Sequence, residues 1–523
     1  MDSEGEVRLD LPGAVAELGS TVAERRKLRQ HQWAQSIVLV ILYSATTLMY
    51  VQHGSASDPD VWWHLRTGKW IMDHGALPYT DPFSGFGAGK PWQAYSWLFE
   101  LLIFQLFTRF GLVGIVSFTA AMIVAITFAV HRVYRRLQSD FTISVLLTVA
   151  GIFCLSKMFS PRPWFFSILF FALELDVLLQ ARRTGKTRQL YWLPVIFILW
   201  ANVHIQFVVG LLVLAIALGD SLVGYWRNDA EVRLRPIRMG CIFVACILAT
   251  MVNPYGWSLY KLIHDLGAQH GVFDRVSELM AMPFRDPVDF IVLFLAMGAA
   301  AALARAKRLP LFEIVLLAFA ASLAFRSRRD MWVIVIVASS ILAARLPGRA
   351  GNSFKVPTVA VPFVLLATYL VVFAAFRMHL VSEQALADRQ VKELPVEAVE
   401  FVNRKGLSGP LFNDYNWGGY LIWATDLQVS MDGRVNIYWD DQINRSMGTW
   451  GGNSKWASDP DLLKARLVIG PVDAPLTQLL RLSPGFELAY EDKIAAVFVA
   501  RKGSTAKLGD TATGPNSLCL PAR

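Results

Sequence analysis

Residues 36–70 read SIVLVILYSATTLMYVQHGSASDPDVWWHLRTGKW. The first half is apolar and about as long as the hydrocarbon core of a bilayer demands. It opens almost at once into a patch with two aspartates, three tryptophans, a histidine and two cations. Asp58-Pro59-Asp60 reads as a helix start, because Asp58 can cap the helix and Pro59 suits the first helical position. The predicted helix runs to about His74 and is stopped by Gly75 and Pro78. Asp60 and His64 are four apart and so share one face. Trp62, Trp63 and Trp70 suit the level of lipid headgroups.

The rest of the chain repeats the first half of that pattern. Of its 523 residues 54% are hydrophobic and 17% charged, a balance that fits a polytopic membrane protein better than a soluble globule. Apolar runs recur from Ser36 to Phe376. Eleven spans are read, near 34–52, 112–131, 141–158, 164–180, 191–205, 207–225, 239–253, 288–304, 310–325, 330–345 and 357–377. The segment 96–110 is short and carries Glu100 and Arg109, so it is placed as an interfacial or re-entrant helix. With it outside the count, the N-terminal segment 1–33 and the connections HRVYRR, ARRTGKTR, WRNDAEVRLRPIR, RAKR and RLPGRAGNSFK all fall inside, as the positive-inside rule requires. The net charge of +9 is therefore assigned to topology, and nucleic acid is excluded as a partner because no continuous basic stripe exists. The four cysteines have neither metal nor disulfide spacing.

After about residue 381 the chain turns polar. Candidate strands are GPLFND, QVSMDG, ARLVIG and AAVFVA, with a helix at PVEAVEFVNRKG ended by Gly406. The fold class expected is an α-helical polytopic membrane protein of about eleven transmembrane helices with a small C-terminal α/β domain. The divisions are a transmembrane domain 34–380, a first outside loop 53–111, an extracytoplasmic domain 381–503 and a disordered tail 504–523. NDYNWGGYLIW and Asp432-Gly433-Arg434 are read as turns.

Polar residues near span ends, apart from the cation clusters, fall on the outside under this topology: Arg162 in SPRPW, Asn202 and His204 in WANVH, Asn253 in VNPYGW, and Arg326, Arg328 and Arg329 in FRSRRD. Three arginines outside run against the positive-inside rule, and guanidinium matches a phosphate fork. Asp60 is a candidate general base at the membrane surface, with Asp58 as helper or cap and Glu100 as a second carboxylate. Two carboxylates at a wet entrance could hold a divalent cation, but none is expected to be required.

The motifs DPDVWWHLRTGKWIMDHG, PYTDPFS, PRPWFFSILFFAL, WANVH, NPYGW and FNDYNWGGYLIW, spread from Asp58 to about Asp440, resemble the GT-C superfamily of polytopic glycosyltransferases. The likeness is closest to bacterial members related to protein O-mannosyltransferases and aminoarabinose transferases. The resemblance implies an acidic motif on the helix after span one and a sugar donor carried on polyprenyl phosphate. In the aminoarabinose-transferase pattern the motif aspartate lies about fifteen residues before a glycine. Asp60 and Gly75 have that spacing, which carries the catalytic role to Asp60. The sequence departs from the usual Asp-Glu pair, reading Asp-Val. The implied function is transfer of a sugar, with inversion, to an extracytoplasmic hydroxyl on a glycan, lipid or protein, at a bacterial inner membrane. His64, Arg162, His204, Arg326, Arg328 and Arg329 are the expected substrate-binding residues. The alternatives are a transporter or flippase of a lipid-linked glycan and a non-catalytic envelope scaffold. A transporter needs polar groups near the midplane, where the sequence offers only Glu174, Asp176 and Glu313.

Overall fold

The structure, a computed structural model, describes residues 11–53, 58–229, 232–269, 276–308, 310–348, 360–376 and 382–501. The expected disordered tail and parts of the N-terminal segment, the first loop, the last cation-bearing connection and the boundary near 381 lie outside the described residues.

Among the described residues thirteen α-helices precede the C-terminal region: α1 (Leu11–His53), α2 (Pro59–His74), α3 (Trp97–Leu137), α4 (Phe141–Leu155), α5 (Trp164–Thr184), α6 (Leu193–Val203), α7 (Phe207–Trp226), α8 (Pro236–Thr250), α9 (Ser258–Ala268), α10 (Pro287–Ala304), α11 (Leu311–Arg326), α12 (Met331–Arg345) and α13 (Ala360–Ala375). All eleven apolar segments fall on helices. Among the described residues six helices, α1, α3, α4, α5, α7 and α10, are long and apolar enough to cross a membrane. The remaining five segments form helices of 11 to 16 residues. The protein is an α-helical, multi-pass membrane protein. Helix α12 is its central strut: every side chain from Met331 to Ala338 is buried, as expected of a helix apolar on all sides.

The ambiguous segment 96–110 has a specific geometry. It forms the first arm of α3 and packs along α2. A kink at Gly111, with φ 59° and ψ −148°, separates it from the spanning arm. Only glycine adopts that conformation without strain. The amides of Leu112 and Val113, exposed by the kink, donate to the Glu383 carboxylate at 2.9 and 3.2 Å. Glu383 thus caps the second arm as an N-terminal acid should.

Helix α2 forms as its sequence predicts. Asp58 accepts from the Asp60 amide at 3.0 Å, Pro59 takes the first turn, and Gly75 ends the helix at φ 61°. In the C-terminal region four strands form one sheet in the order β1-β2-β4-β3: β1 (Leu411–Asn413), β2 (Leu467–Pro471), β3 (Phe486–Glu491) and β4 (Ala495–Ala500). β1 and β2 are parallel, and the other pairs are antiparallel. Three expected strands are present. The fourth, QVSMDG, is a correction: it joins no strand of the sheet. Val429 instead bridges to Ser84 of the first loop, and the Gly85 amide donates to the Val429 carbonyl at 2.9 Å. The first loop thus satisfies backbone groups that a sheet neighbour would otherwise take. β3 was not foreseen, because FELAYE carries acids at both ends of a short apolar alternation.

The two ends of the bundle differ. Arg132, Arg135 and Arg136 close α3, Arg182 and Arg183 close α5, and Arg233 precedes α8, all at one end. The first loop, the turn at 160–163, residues 204–206, the 276–286 segment and residues 327–330 gather at the other. Helix α5 alone separates these ends by roughly 30 Å, from 21 residues at the α-helical rise.

Candidate functional site

A cavity of 490 Å³ opens between the helical bundle and the C-terminal sheet region. From the bundle side it is lined by Asp60, Trp63, His64, Tyr95, Arg162, His204, Glu278 and Arg329. The opposite wall carries Asp414, Tyr415, Asn416, Gly433 and Trp450.

Arg162 sits at the centre. The prolines on either side place it on the turn before α5, where the chain cannot yet be helical. Its Nε and Nη2 donate to both oxygens of Asp58 at 2.7 and 2.9 Å. Its Nη1 lies 2.8 Å from Asp60 Oδ2 and 3.0 Å from Glu278 Oε2. One guanidinium therefore answers three carboxylates, and its fork toward a phosphate is already filled. Asp58, buried, combines the cap of α2 with this bidentate pair. Asp60 differs, for its side chain keeps 20% of its exposure and faces the cavity. Burial pushes its carboxyl up to about 6, aided by Asp58 and Glu278 and opposed by Arg162. Desolvation therefore outweighs the neighbouring cation.

His64 lies one turn further along α2. Its Nδ1 is 3.3 Å from Glu100 Oε1, so Glu100 stands behind the histidine and does not line the cavity. His64 is held well below the usual histidine range by burial and by Arg162, His204 and Arg329. His204 follows the last turn of α6. Trp200 Nε1 donates to Ser167 Oγ at 2.8 Å, and Ser167 Oγ lies 2.7 Å from His204 Nδ1. That relay suits the tautomer with the proton on Nε2. Nε2 itself is buried without a partner. With Nδ1 accepting from Ser167, the Nε2–H is left as a donor at the cavity wall.

The three arginines of FRSRRD part company. Arg326 Nη2 donates to the Gly267 carbonyl at 3.3 Å, away from the cavity. Arg328 lies 4.0 Å from Asp289 and lines an adjoining cavity of 410 Å³ with Asp58, Lys157 and Glu278. Arg329 lines both cavities. Its guanidinium lies over Trp164, 5.3 Å from the ring centroid, and its Nε is buried without a hydrogen-bond partner. The backbone of this turn also fixes Glu278: the amides of Arg328 and Arg329 donate to the carbonyls of Met280 and Glu278 at 3.0 and 2.9 Å. Asn202 and Asn253 are structural. Asn202 bridges Trp97 and the Val252 carbonyl, and Asn253 closes a turn after α8.

The C-terminal wall was not legible as part of the site. After β1, NDYNWGG forms a turn, as read, and then runs on into a short helix that was not foreseen, Gly418–Ala424. Its glycines, however, let that helix press on α2. A Cβ on Gly419 would lie 2.4 Å from the Pro59 carbonyl oxygen, and one on Gly418 2.1 Å from that of Met431. Gly433 is closer still to the chemistry, since a Cβ there would lie 2.1 Å from Asp60 Oδ1. Asp432 and Arg434 do more than turn the chain. Arg434 Nη1 donates to Asp81 Oδ1 at 2.7 Å, its Nε and Nη2 donate to both Asp432 oxygens at 2.8 and 2.7 Å, and Tyr438 Oη donates to Asp432 at 2.7 Å. The Asp81, Asp432 and Arg434 side chains are wholly buried. Arg434 also lies over Phe83 and Trp92. This clamp holds Gly433 against Asp60. Glu278 and Tyr95 were also missed; neither sits in a motif that singles it out.

Among the described residues no group of three or more His, Cys, Asp or Glu is arranged to hold a metal ion. The acids at Asp58, Asp60 and Glu278 converge on a guanidinium instead.

No family model matches the sequence, and no curated protein matches it. Among solved structures the chain is similar to ArnT from Cupriavidus metallidurans bound to undecaprenyl phosphate, at 13% identity and a TM-score of 0.44, over 90% of this chain and 98% of that one.

Proposed function

We propose that the cavity is the active site of a glycosyltransferase that takes a sugar from a polyprenyl-phosphate donor and passes it to an acceptor hydroxyl. The observation that carries this reading is the pairing, in one cavity, of a largely desolvated carboxylate with an arginine whose Nε lacks a partner. Asp60 accepts the proton of the incoming hydroxyl. The oxygen attacks the anomeric carbon from the face opposite the phosphate, the bond to the lipid phosphate breaks, and the configuration inverts. Arg329 answers the charge that develops on the leaving phosphate, in a site dry enough for a guanidinium to matter. Arg162 holds Asp58, Asp60 and Glu278 in place, a positioning role that replaces the phosphate contact expected of it. Neutral His204 offers Nε2–H to a substrate oxygen. Glu100 orients His64. The C-terminal region supplies the acceptor side of the wall and lies, in this reading, outside the cytoplasm.

Undecaprenyl phosphate is the probe that tests donor recognition. Purified protein is expected to bind it, measured by native mass spectrometry or thermal shift. Arg329→Gln should weaken that binding about 10- to 100-fold, the worth of a hydrogen bond to a charged group, whereas Arg326→Gln should leave it unchanged. Equal losses in the two variants would remove Arg329 from the phosphate site.

The pH dependence follows from the same carboxylate. A base must be ionised, and the Asp60 carboxyl sits at about 6. Turnover at low substrate is therefore expected to rise with pH through about 6 and to level above it. A flat profile from pH 5 to 7 would exclude Asp60 as the titrating base.

A further inference from the structure

A second cavity, of 660 Å³, lies at the cation-rich end of the bundle, bounded by α1, α3, α12 and α13. It belongs to no step of the proposed reaction. One side is apolar, with Leu39, Tyr43, Phe128 and Val361; the other carries Arg132, Arg135, Arg136 and Arg183. A smaller adjoining cavity shares Arg136 and Arg183.

Two features set this cluster apart from an ordinary solvated basic loop. First, backbone carbonyls hold the guanidinium groups. Arg135 Nη1 donates to the carbonyls of Gln138 and Ser139 at 2.9 and 2.6 Å. Arg183 Nη1 donates to the Arg136 carbonyl at 2.6 Å, and Arg233 Nη1 to the Arg183 carbonyl at 2.5 Å. Gln138 Nε2 adds a bond to the Leu346 carbonyl at 2.9 Å, which ties α12 to the same corner. Carbonyls fix a guanidinium without cancelling its charge. Second, the carboxylates nearby are few. Asp176 serves both Arg132 and Arg136 through a single oxygen, each at 2.9 Å. Asp140 caps α4, and its charge also bears on Arg135. Among the described residues, four cations thus face two carboxylates beside an apolar wall.

We propose that this cavity binds an anionic membrane phospholipid, the phosphate against Arg135 and Arg183 and an acyl chain along Leu39, Phe128 and Val361. The apolar wall favours a lipid over a free anion, since inorganic phosphate would gain nothing from it. Basic pockets between spans are suited to such headgroups.

The test uses full-length protein in detergent and in nanodiscs, with native mass spectrometry of retained lipid. Phosphatidylglycerol is expected to be retained at least tenfold over phosphatidylcholine at equal mole fraction. Arg135→Gln and Arg183→Gln should each cut phosphatidylglycerol retention about fivefold, from ~1 kcal/mol per cation near the headgroup. Ala344→Trp, at an exposed position on the cavity rim, should block the lipid while leaving every arginine in place, which guards against misfolding of the arginine variants. Equal retention of the two lipids would overturn the proposal. So would displacement of phosphatidylglycerol by millimolar inorganic phosphate, which would reveal a site for a free anion. Arg329→Gln should not alter phosphatidylglycerol retention, so this result is independent of the sugar-transfer reading.

Discussion

Replacing Asp60 with Asn is expected to lower sugar transfer roughly 10²–10⁴-fold, the contribution of a positioned general base, while binding of undecaprenyl phosphate persists. The substitution is nearly isosteric and leaves an oxygen to face Arg162. It also removes one of three charges from that guanidinium, but Asp58 still grips it with two bonds at 2.7 and 2.9 Å. The cluster should therefore keep its shape. Turnover would be followed as loss of labelled sugar from a polyprenyl-phosphate donor in membranes or detergent. Asp58→Asn makes the contrast. It should spare the cap of α2, since Asn caps as well as Asp, but break the bidentate seat of Arg162, and so lower stability along with activity. Wild-type rates in Asp60→Asn would send the base assignment elsewhere.

The second large effect concerns stability. Arg434→Met should destabilise the folded protein by roughly 3–5 kcal/mol, the cost of removing one partner from a buried ionic cluster. Asp81 and Asp432 would remain, wholly buried, without the cation that answers them. Met fills much of the volume beside Phe83 and Trp92, so the loss reports charge and hydrogen bonding more than packing. Burial and the Asp432 and Asp81 charges act on Arg434 with opposite sign, and the charges prevail, raising its proton affinity. The guanidinium is thus ionised at any pH the protein survives. Thermal unfolding in detergent would show the shift. An unchanged midpoint would mean that the first loop and the C-terminal region are held together by other contacts.

How much of this was legible in the sequence depends on the range of the interaction. The helix at Pro59–His74, its cap, its proline and its terminal glycine were all readable, because each signal is local to a turn of chain. So were the apolar helices and three of four strands. The gathering of Asp60, Arg162, His204 and Arg329 at one end followed from counting cations across spans. What the sequence hid is what depends on three-dimensional partners. Arg162 has the composition of a phosphate ligand and is instead filled by three acids. Glu100 sits in the right loop but behind His64. Arg326, Arg328 and Arg329 lie within four residues of one another, yet Arg326 turns away to Gly267, Arg328 reaches only the adjoining cavity and Arg329 lines both. Gly433 reads as any turn glycine until its neighbour Asp60 is known, from a segment hundreds of residues earlier.

That separation along the chain has a consequence for biosynthesis. Arg434 is made 353 residues after Asp81, when nearly all the helices have already left the ribosome. Through most of translation the first loop carries its carboxylates with no lid above them, open to water. The part of the Asp60 enclosure that Gly433 supplies is thus added only when the last quarter of the polypeptide docks. Under the proposed reaction, a nascent or truncated chain would insert into the membrane yet be unable to move sugar off a lipid-linked donor.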